Sequence, residues 1–353
     1  MARASAGARL HFGFCNLSLS HERLYGALGV ALAEPRVTVA ATPAETIAVT
    51  IEDDAVDEND GTHEEVAIRA EVRGYATAAV EVLGVTGASV TVESSLPRHA
   101  GLGSGTQLAA TTLAAIARAH GREPRVRERI PALGRGGRSG VGVAAYESGG
   151  FVLDAGHPTA RFTTDRPADG DWTVPPVSAR HPVPDHWRFL LVRPDADPGR
   201  NGAEEDASMR AAVERADPGV ADRIAGIVTR RVLPAIASGR AEAFGEAVAA
   251  VGRLNGAWYA DEQGGVYRPP VGDVVASLAS SPAVFGAGQS SWGPTVYGVT
   301  DVERADSAIA AGERALEDGD VSGTVSVVRG INEGARVVER SESGDHGADE
   351  GQH

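Results

Sequence analysis

The chain has 353 residues, a formal net charge of −15 and 33 basic residues, every one of them an arginine. That length is ample for a sizeable core and suggests two domains, and the acid excess argues against general nucleic-acid binding. Cys15 is the only cysteine, which excludes an intramolecular disulfide and a cysteine-rich zinc site.

The composition also bears on location. No stretch approaches the roughly 18 apolar residues that a membrane span needs, and no signal-peptide core follows residues 1–9. We therefore expect a cytoplasmic protein without a membrane partner. Its lysine-free, acid-rich composition further leads us to expect a halophile's salt-rich cytosol.

The N-terminal part alternates strand and helix patterns. Short strands broken by Gly and Pro are predicted between residues 8 and 50, and the acidic tract 52–65 is predicted to be a solvated loop. A helix is predicted over 66–83 and a strand over 88–96.

A glycine-rich segment, residues 97–107, follows that strand and enters a predicted helix over 106–119. Glycines let the backbone approach an anion closely, and the N–H groups and dipole of a helix start favour negative charge. The segment predicts a phosphate or pyrophosphate site, with a simple tight turn as the alternative. It is neither a Walker A loop, which needs a Lys, nor a full Rossmann fingerprint. The predicted binding residues are Gly101, Leu102, Gly103, Ser104, Gly105, Thr106 and Gln107.

The rest of the chain reads as alternating helices and strands. A Pro- and Asp-rich stretch before the strand at 187–192 predicts a domain boundary near 185–195. Pro234 is predicted to kink or break a long helix, and the polar tail 341–353 is predicted to be disordered. Helices are predicted over 126–133, 203–238, 241–254, 271–280 and 301–316, and strands over 151–154 and 323–329, the last being the final strand.

Three segments beside the glycine loop complete a pattern. Residues 9–29 begin Arg-Leu-His-Phe-Gly-Phe-Cys-Asn, residues 134–151 are rich in Gly and Arg, and residues 286–295 read Gly-Ala-Gly-Gln-Ser-Ser-Trp-Gly-Pro-Thr. Together they resemble the GHMP superfamily of small-molecule kinases, and more closely its non-kinase branch, the β-ribofuranosylaminobenzene 5′-phosphate synthases. The resemblance covers about residues 8–330, with Asn16 where that branch usually carries Asp.

This resemblance implies a two-domain α+β fold of the GHMP-kinase type, with the active site in the cleft between the domains. The N-terminal domain would span 1–190 and the C-terminal domain 191–340. In mevalonate-kinase-like members a catalytic Asp stands where this chain has Gly142, and a Lys is common where it has Arg9. Because Arg is always protonated at neutral pH, it cannot replace a general base. A kinase is therefore the second hypothesis.

The activity implied by the resemblance is a decarboxylating transfer of phosphoribose. Phosphoribosyl pyrophosphate would react with 4-aminobenzoate or 4-hydroxybenzoate to give a C-riboside 5′-phosphate, pyrophosphate and CO2, a step of methanopterin-type cofactor biosynthesis. Mg2+ would assist, with Ser104 as a metal or phosphate ligand. An ATP-dependent small-molecule kinase and a catalytically reduced phosphometabolite-binding protein are the alternatives, and a homodimer is the default oligomer.

The candidate site residues follow from these matched segments. Arginine forks suit both the phosphates and the carboxylate, and Trp292 can stack on an aromatic ring. We assign no chemistry to Asp154 or His157. Catalytic roles are predicted for Asn16, Arg23 and Arg138. Substrate or phosphate binding is predicted for Arg9, His11, Arg135, Ser139, Gln289, Ser290, Ser291 and Trp292.

Overall fold

The computed structural model describes residues 1–52, 55, 61–161, 172–197 and 202–339. The tail 341–353 and much of the acidic tract therefore lie outside the described residues. No helix within the described ranges is long and apolar enough to cross a membrane.

The larger of the two sheets is mixed and contains β1–β7 and β12. Its main path runs β12-β1-β2-β4-β3, with β5 and β6 pairing to β2 and β7 pairing to β5. All pairs are antiparallel except β3 with β4. The strands are β1 (Ala2–Asn16), β2 (Arg23–Pro43), β3 (Ala48–Ile51), β4 (Ala88–Ser94), β5 (Phe151–Asp154), β6 (His157–Pro158), β7 (Val177–His181) and β12 (Arg336–Glu339).

The smaller sheet is antiparallel, with the strand order β11-β8-β10-β9. In strand β8 (Trp187–Pro194), Leu190 and Val192 lie on one face and join a cluster with α10 (Val271–Ala279) and α11 (Ala305–Asp318). Phe189 and Leu191, on the other face, join the larger core. This sheet consists of β8 (Trp187–Pro194), β9 (Gly286–Gln289), β10 (Val296–Asp301) and β11 (Gly323–Val328).

Helices cover both sheets, which confirms the predicted α+β class. Helix α2 is buried along Gln107–Ala117 because small side chains let it lie close against β1 and β2. The helices are α1 (Gly61–Leu83), α2 (Ser104–Ala119), α3 (Val126–Arg129), α4 (Val141–Ser148), α5 (Gly202–Arg215), α6 (Pro218–Ile227), α7 (Leu233–Ala237), α8 (Ala241–Trp258), α9 (Ala260–Gln263), α10 (Val271–Ala279) and α11 (Ala305–Asp318).

The predicted short strands between residues 8 and 50 are wrong, because β1 and β2 are long. Gly29 lies inside β2, where a Cβ would stand 2.3 Å from the Leu10 carbonyl oxygen, so the glycine permits close strand contact instead of ending the strand. Pro35 lies where the pairing of β2 with β1 shifts register, a position that tolerates a missing N–H.

Four further predictions are corrected. The helix over 203–238 breaks after Arg215, because Asp217 caps α6 by accepting from Gly219 N and Pro218 opens the helix. Glu64 and Glu65 belong to α1, not to a loop. Residues 301–304 precede α11, and β12 follows β11, so 323–329 does not contain the final strand. The domain limits 1–190 and 191–340 stay a prediction.

Candidate active site

A cleft of about 570 Å³ lies between the glycine loop, α1, the Leu133–Arg135 segment and the C-terminal glycine motif. It contains nine of the predicted binding residues together with several that the sequence did not indicate. The predicted residues are Arg9, Gly101, Gly103, Ser104, Gly105, Thr106, Arg135, Ser291 and Trp292. The others are Glu71, Tyr75, Arg98, His99, Leu133, Gly134, Glu205 and Gly293.

The glycine loop brings the backbone of α2 to the cleft wall. Gly101 and Gly103 both have left-handed backbone angles, with φ of +83° and +82°, which L side chains adopt at a cost. Helix α2 starts at Ser104 and carries no side-chain cap. Its first-turn N–H groups therefore remain available to an anion in the cleft.

Two guanidinium groups are held at the loop by one carboxylate. Arg135 lies 3.0 Å from Glu71 Oε1, and Arg98 lies 3.2 Å from Glu71 Oε2. Arg135 Nε also donates to Tyr75 Oη at 2.8 Å, and a Cβ on Gly105 would stand 2.6 Å from the Arg135 guanidinium carbon. Arg135 thus lies directly over the start of α2.

The charges of this cluster reinforce one another. Burial opposes ionisation of Glu71, but the Tyr75 hydrogen bond and the charges of Arg135 and Arg98 outweigh it and lower the pKa of the Glu71 carboxyl. Burial similarly opposes the Arg135 cation, but Tyr75 and Glu71 outweigh it and raise the pKa of Arg135. The cluster presents two fixed cations for one anion, so it leaves positive charge for a ligand.

Glu71→Gln is expected to weaken the binding of inorganic pyrophosphate about tenfold, or about 1.4 kcal/mol. The amide keeps the shape of the carboxylate but no longer orients two cations, which would then repel each other. Isothermal titration calorimetry measures the change, with Glu123→Gln, a partner of Arg118 on the surface, as the matched control. Tighter binding by the Glu71 variant would show that Glu71 competes with the anion instead of positioning its ligands.

Arg9 is a third cation at the cleft, underneath the loop. Its Nη1 donates to the Gly101 carbonyl oxygen at 2.6 Å, and no carboxylate within the described residues lies within ion-pair distance of it. Burial lowers the pKa of Arg9 to about 10, partly offset by Glu205, so the side chain stays cationic at neutral pH.

An aromatic pocket of about 50 Å³ adjoins the cleft, sharing Ser291 and Trp292 with it. Tyr259 and Trp292 have ring centroids 4.7 Å apart, and Phe14 meets His11 edge-on at 5.0 Å. The other lining residues are Phe12, Gly13, Gly252, Asn255, Gly256, Gln263, Val266, Tyr267 and Gln289.

His11 is the buried imidazole of this pocket. Its side chain is 4% exposed, and Nδ1 has no hydrogen-bond partner in another described residue. Burial, helped by the charge of Arg9, lowers the pKa of His11 to about 3. The ring is therefore neutral throughout the physiological range.

The burial of His11 as a neutral ring should make the stability of the protein depend on pH. Unfolded His11 binds a proton below about pH 6.5 whereas the native ring does so only near pH 3, so its contribution to stability is lost as pH falls between these values. The loss is roughly 1.4 kcal/mol per pH unit within that window. Urea unfolding at pH 7, 6 and 5 should show a flatter pH profile for His11→Asn than for the wild type. Parallel profiles would contradict the burial of a neutral imidazole.

The chain is similar to several known proteins. Residues 71–150 match the family described as GHMP kinases N terminal domain. A protein from Methanothermobacter thermautotrophicus named β-ribofuranosylphenol 5′-phosphate synthase is 32% identical, with 94% of this chain and 97% of that protein covered. One of the same name from Archaeoglobus fulgidus is 30% identical, with 90% and 92% covered.

The chain belongs to the β-ribofuranosylphenol 5′-phosphate synthase family. Solved structures show the same fold: mevalonate diphosphate decarboxylase from Staphylococcus aureus has a TM-score of 0.62 at 14% identity, covering 96% of this chain and 99% of its own. Homoserine kinase from Cytophaga hutchinsonii has a TM-score of 0.60 at 17% identity, covering 96% and 97%. The predicted family resemblance and the GHMP-kinase-like fold are confirmed.

The three predicted catalytic residues of this synthase-family chain lie outside the cleft lining. Asn16 Nδ2 donates to the carbonyl oxygens of Ser18 and Arg23, which holds the turn between β1 and β2. The Arg23 guanidinium donates to two backbone carbonyls at 155 and 156. Arg138 donates to Asp206 and lies 3.6 Å from Glu205 on α5. Their catalytic roles stay predictions.

Several other predicted binding residues use their side chains to support the site. Gln107 Nε2 donates to the Gly142 carbonyl oxygen at 2.8 Å, and Ser139 donates to Asp154. Ser290 Oγ donates to the Gly101 carbonyl oxygen at 2.8 Å and accepts from His11 N. Gln289 lines the aromatic pocket, whereas Leu102 is buried in the core.

Asp154 and His157 support the Gly-rich segment 134–150 from behind. Asp154 accepts from the backbone N–H of Gly140 at 2.8 Å and of Gly156 at 2.9 Å, while burial, opposed by these hydrogen bonds, raises the pKa of its carboxyl to about 6. His157 lies in hydrogen-bond contact with the Gly137 carbonyl oxygen. Both therefore shape the loop that carries Arg135.

The position of the kinase base carries no side chain and is closely packed. Gly142 lies on α4 against α2, and a Cβ at this position would stand 3.0 Å from the Thr106 side chain. Thr106 itself lines the cleft. Gly142 itself has no proton acceptor, and a carboxylate at this position would fit only if the Thr106 side chain shifted by a few tenths of an ångström.

The oxygen donors near the loop would suit a magnesium ion bound together with phosphates. Within the described residues, no group of three His, Cys, Asp or Glu side chains is placed to hold a metal. Glu205 and Ser104 line the cleft; Glu205 lies 3.6 Å from one arginine, Arg138, whereas Glu71 is held by two. Mg2+ commonly uses one or two carboxylates with substrate phosphates, so Glu205 and Ser104 are the residues suited to it.

Proposed function

We propose that this protein joins phosphoribose to a para-substituted benzoate with loss of CO2 and pyrophosphate. One observation carries the proposal: a cleft with three arginines at a helix start adjoins an aromatic pocket, and the two share Ser291 and Trp292. The first compartment suits phosphoribosyl pyrophosphate and the second an aromatic ring. The relatives are named after a phenol product, which favours 4-hydroxybenzoate over 4-aminobenzoate.

The donor half of the reaction needs stabilisation of a leaving anion. As the bond from ribose C1 to oxygen breaks, its electrons pass to pyrophosphate, and C1 acquires oxocarbenium character. Arg98, Arg135 and the first-turn N–H groups of α2 are already oriented at the cleft wall, so they stabilise this charge with little reorganisation. Bound Mg2+ would neutralise part of the pyrophosphate charge.

The acceptor half needs no general base. The ring carbon that bears the carboxylate bonds to C1, and the electrons of the bond to the carboxyl group then restore aromaticity as CO2 leaves. No proton is transferred in this sequence. A site with Gly142 where a kinase needs its base is therefore adequate for this reaction and inadequate for phosphorylating a hydroxyl.

Several narrower proposals accompany this activity. We propose Mg2+ as cofactor, a product used for a methanopterin-type cofactor, a cytoplasmic location, a salt-rich cytosol and a homodimer. The acid excess supports the salt-rich cytosol. A midpoint of unfolding that does not change between 0.1 M and 2 M KCl would contradict that adaptation.

A discontinuous assay tests the activity. Protein in high-KCl buffer with Mg2+, phosphoribosyl pyrophosphate and carboxyl-labelled 4-hydroxybenzoate or 4-aminobenzoate should release labelled CO2 in proportion to the pyrophosphate formed. Omitting the donor should abolish release, and ATP should not replace it. ADP formation with a small alcohol would favour a kinase, and donor binding without release would favour the binding protein.

A further inference from the structure

We propose that Arg9 and His11 bind the two ends of the benzoate acceptor, Arg9 its carboxylate and His11 its para-substituent. This inference rests on the proposed function and assigns one of the three cleft arginines to the acceptor. It follows from the placement of both residues on one face of β1, from the size of the aromatic pocket and from the partners that the neighbouring polar groups already have.

The two residues are next-but-one neighbours on a regular part of β1. Their side chains therefore project from the same face, whereas that of Leu10 between them is fully buried in the core. Arg9 lines the cleft, and His11 lines the aromatic pocket. Two residues of a strand span roughly 6.7 Å, a length comparable to that of a para-substituted benzoate.

The size of the pocket determines which end of the acceptor enters. A cavity of about 150 Å³ is known to hold benzene, whereas this pocket measures about 50 Å³. It accommodates a para-substituent and part of the ring, and the carboxyl end stays at the mouth by Trp292. This orientation places the reacting ring carbon toward the cleft, where ribose C1 must lie.

Among the polar groups of the aromatic pocket, His11 is available to a ligand. Asn255 is hydrogen-bonded to the backbone of Phe14 and Val251, and Gln289 accepts from Arg268 N and donates to the Ser291 carbonyl oxygen. His11 Nδ1 and Tyr267 Oη both lack a partner in another described residue, and of these two residues only His11 lies on the strand face that carries Arg9. A neutral imidazole nitrogen can accept a hydrogen bond from a hydroxyl or amino group or donate one to it. Because it has no charge, it does not compete with Arg9 for the carboxylate.

Arg9 has the matching capacity for a carboxylate. The single side-chain hydrogen bond of Arg9 within the described residues goes to the Gly101 carbonyl oxygen, so most of its five side-chain N–H donors are uncommitted. Arg98 and Arg135, in contrast, are fixed by Glu71 at the loop. The cleft therefore separates its cations, two for the donor's phosphates and one for the acceptor.

Two half-acceptors test the assignment. Benzoate carries only the carboxyl end and phenol only the para end, and each is measured as a competitive inhibitor against 4-hydroxybenzoate in the CO2-release assay. Arg9→Gln should raise the inhibition constant of benzoate at least tenfold and that of phenol less than threefold. His11→Phe should do the reverse, and neither variant should change the KM for phosphoribosyl pyrophosphate more than threefold.

Two controls keep the result decisive. Arg135→Met should raise the donor KM and leave both inhibition constants within threefold, and His11→Asn, which retains hydrogen-bonding capacity, covers the case in which His11→Phe fails to fold. Equal losses for benzoate and phenol in both variants, or a raised donor KM in Arg9→Gln, would overturn the assignment. Absence of CO2 release from the wild type would instead contradict the proposed function.

Discussion

Replacing Arg135 by Met is expected to lower kcat/KM for phosphoribosyl pyrophosphate by about 10²- to 10³-fold, the loss typical of one preorganised donor to a developing anion. The guanidinium lies over Gly105 at the start of α2 and is held by Tyr75 and Glu71. Methionine retains the apolar stem but has no charge and no N–H group. Steady-state CO2 release at varied donor concentration measures the effect.

The control for this variant is Arg118→Met. Arg118 lies in the last turn of α2, outside the cleft, where it pairs with the exposed Glu123. Its kcat/KM should stay within twofold of the wild type. A separate Arg135→Lys variant should recover little activity, since an ammonium cannot reproduce the planar fork that contacts Tyr75 and Glu71 together. Full activity of Arg135→Met would remove Arg135 from the pyrophosphate site.

The local chemistry of the site was predictable from the sequence. The order of strand, glycine loop and apolar helix predicts free backbone N–H groups, and α2 begins at Ser104 without a side-chain cap. Arg135 was predictable because it belongs to a glycine-rich segment. Both inferences depend on residues close together in the chain, where turn geometry and helix starts are determined by neighbours.

The contacts that hold the cations could not be found in this way. Glu71 and Tyr75 are spaced i,i+4 on α1, and such polar pairs also occur on solvated helix faces. Only the packing of α1 beside the loop shows that they face Arg98 and Arg135. The one local signal was the position of Arg98, three residues before the first loop glycine.

The predicted catalytic residues show the same limit. Asn16 and Arg23 belong to a segment typical of the family, but their side chains hold the turn between β1 and β2 and its contact with residues 155 and 156. The partners of Arg138 are on α5, more than 60 residues further along the chain. A family segment identifies residues worth testing, whereas the direction of each side chain depends on distant strands and helices.

Gly101→Ala is expected to lower the free energy of unfolding by about 2 to 5 kcal/mol and to abolish pyrophosphate binding. The left-handed backbone at φ +83° costs an L residue about 1–2 kcal/mol, and a Cβ would stand 2.2 Å from the Ser290 carbonyl oxygen, forcing about 1–3 kcal/mol of overpacking. The glycine loop must then separate from the C-terminal motif. Two hydrogen bonds from that motif hold the loop in the wild type, from Ser290 Oγ to the Gly101 carbonyl oxygen and from Thr295 N to the Ala100 carbonyl oxygen.

Gly121→Ala separates the two causes of this loss. Gly121 also has a left-handed backbone, with φ of +64°, but a Cβ there would meet nothing within 4 Å. Its substitution should cost only the backbone penalty, about 1–2 kcal/mol, and leave pyrophosphate binding unchanged. Urea unfolding and calorimetry on both variants make the comparison. Equal destabilisation of the two would mean that Ser290 moves aside without cost, and the loop would then not depend on its contact with the second sheet.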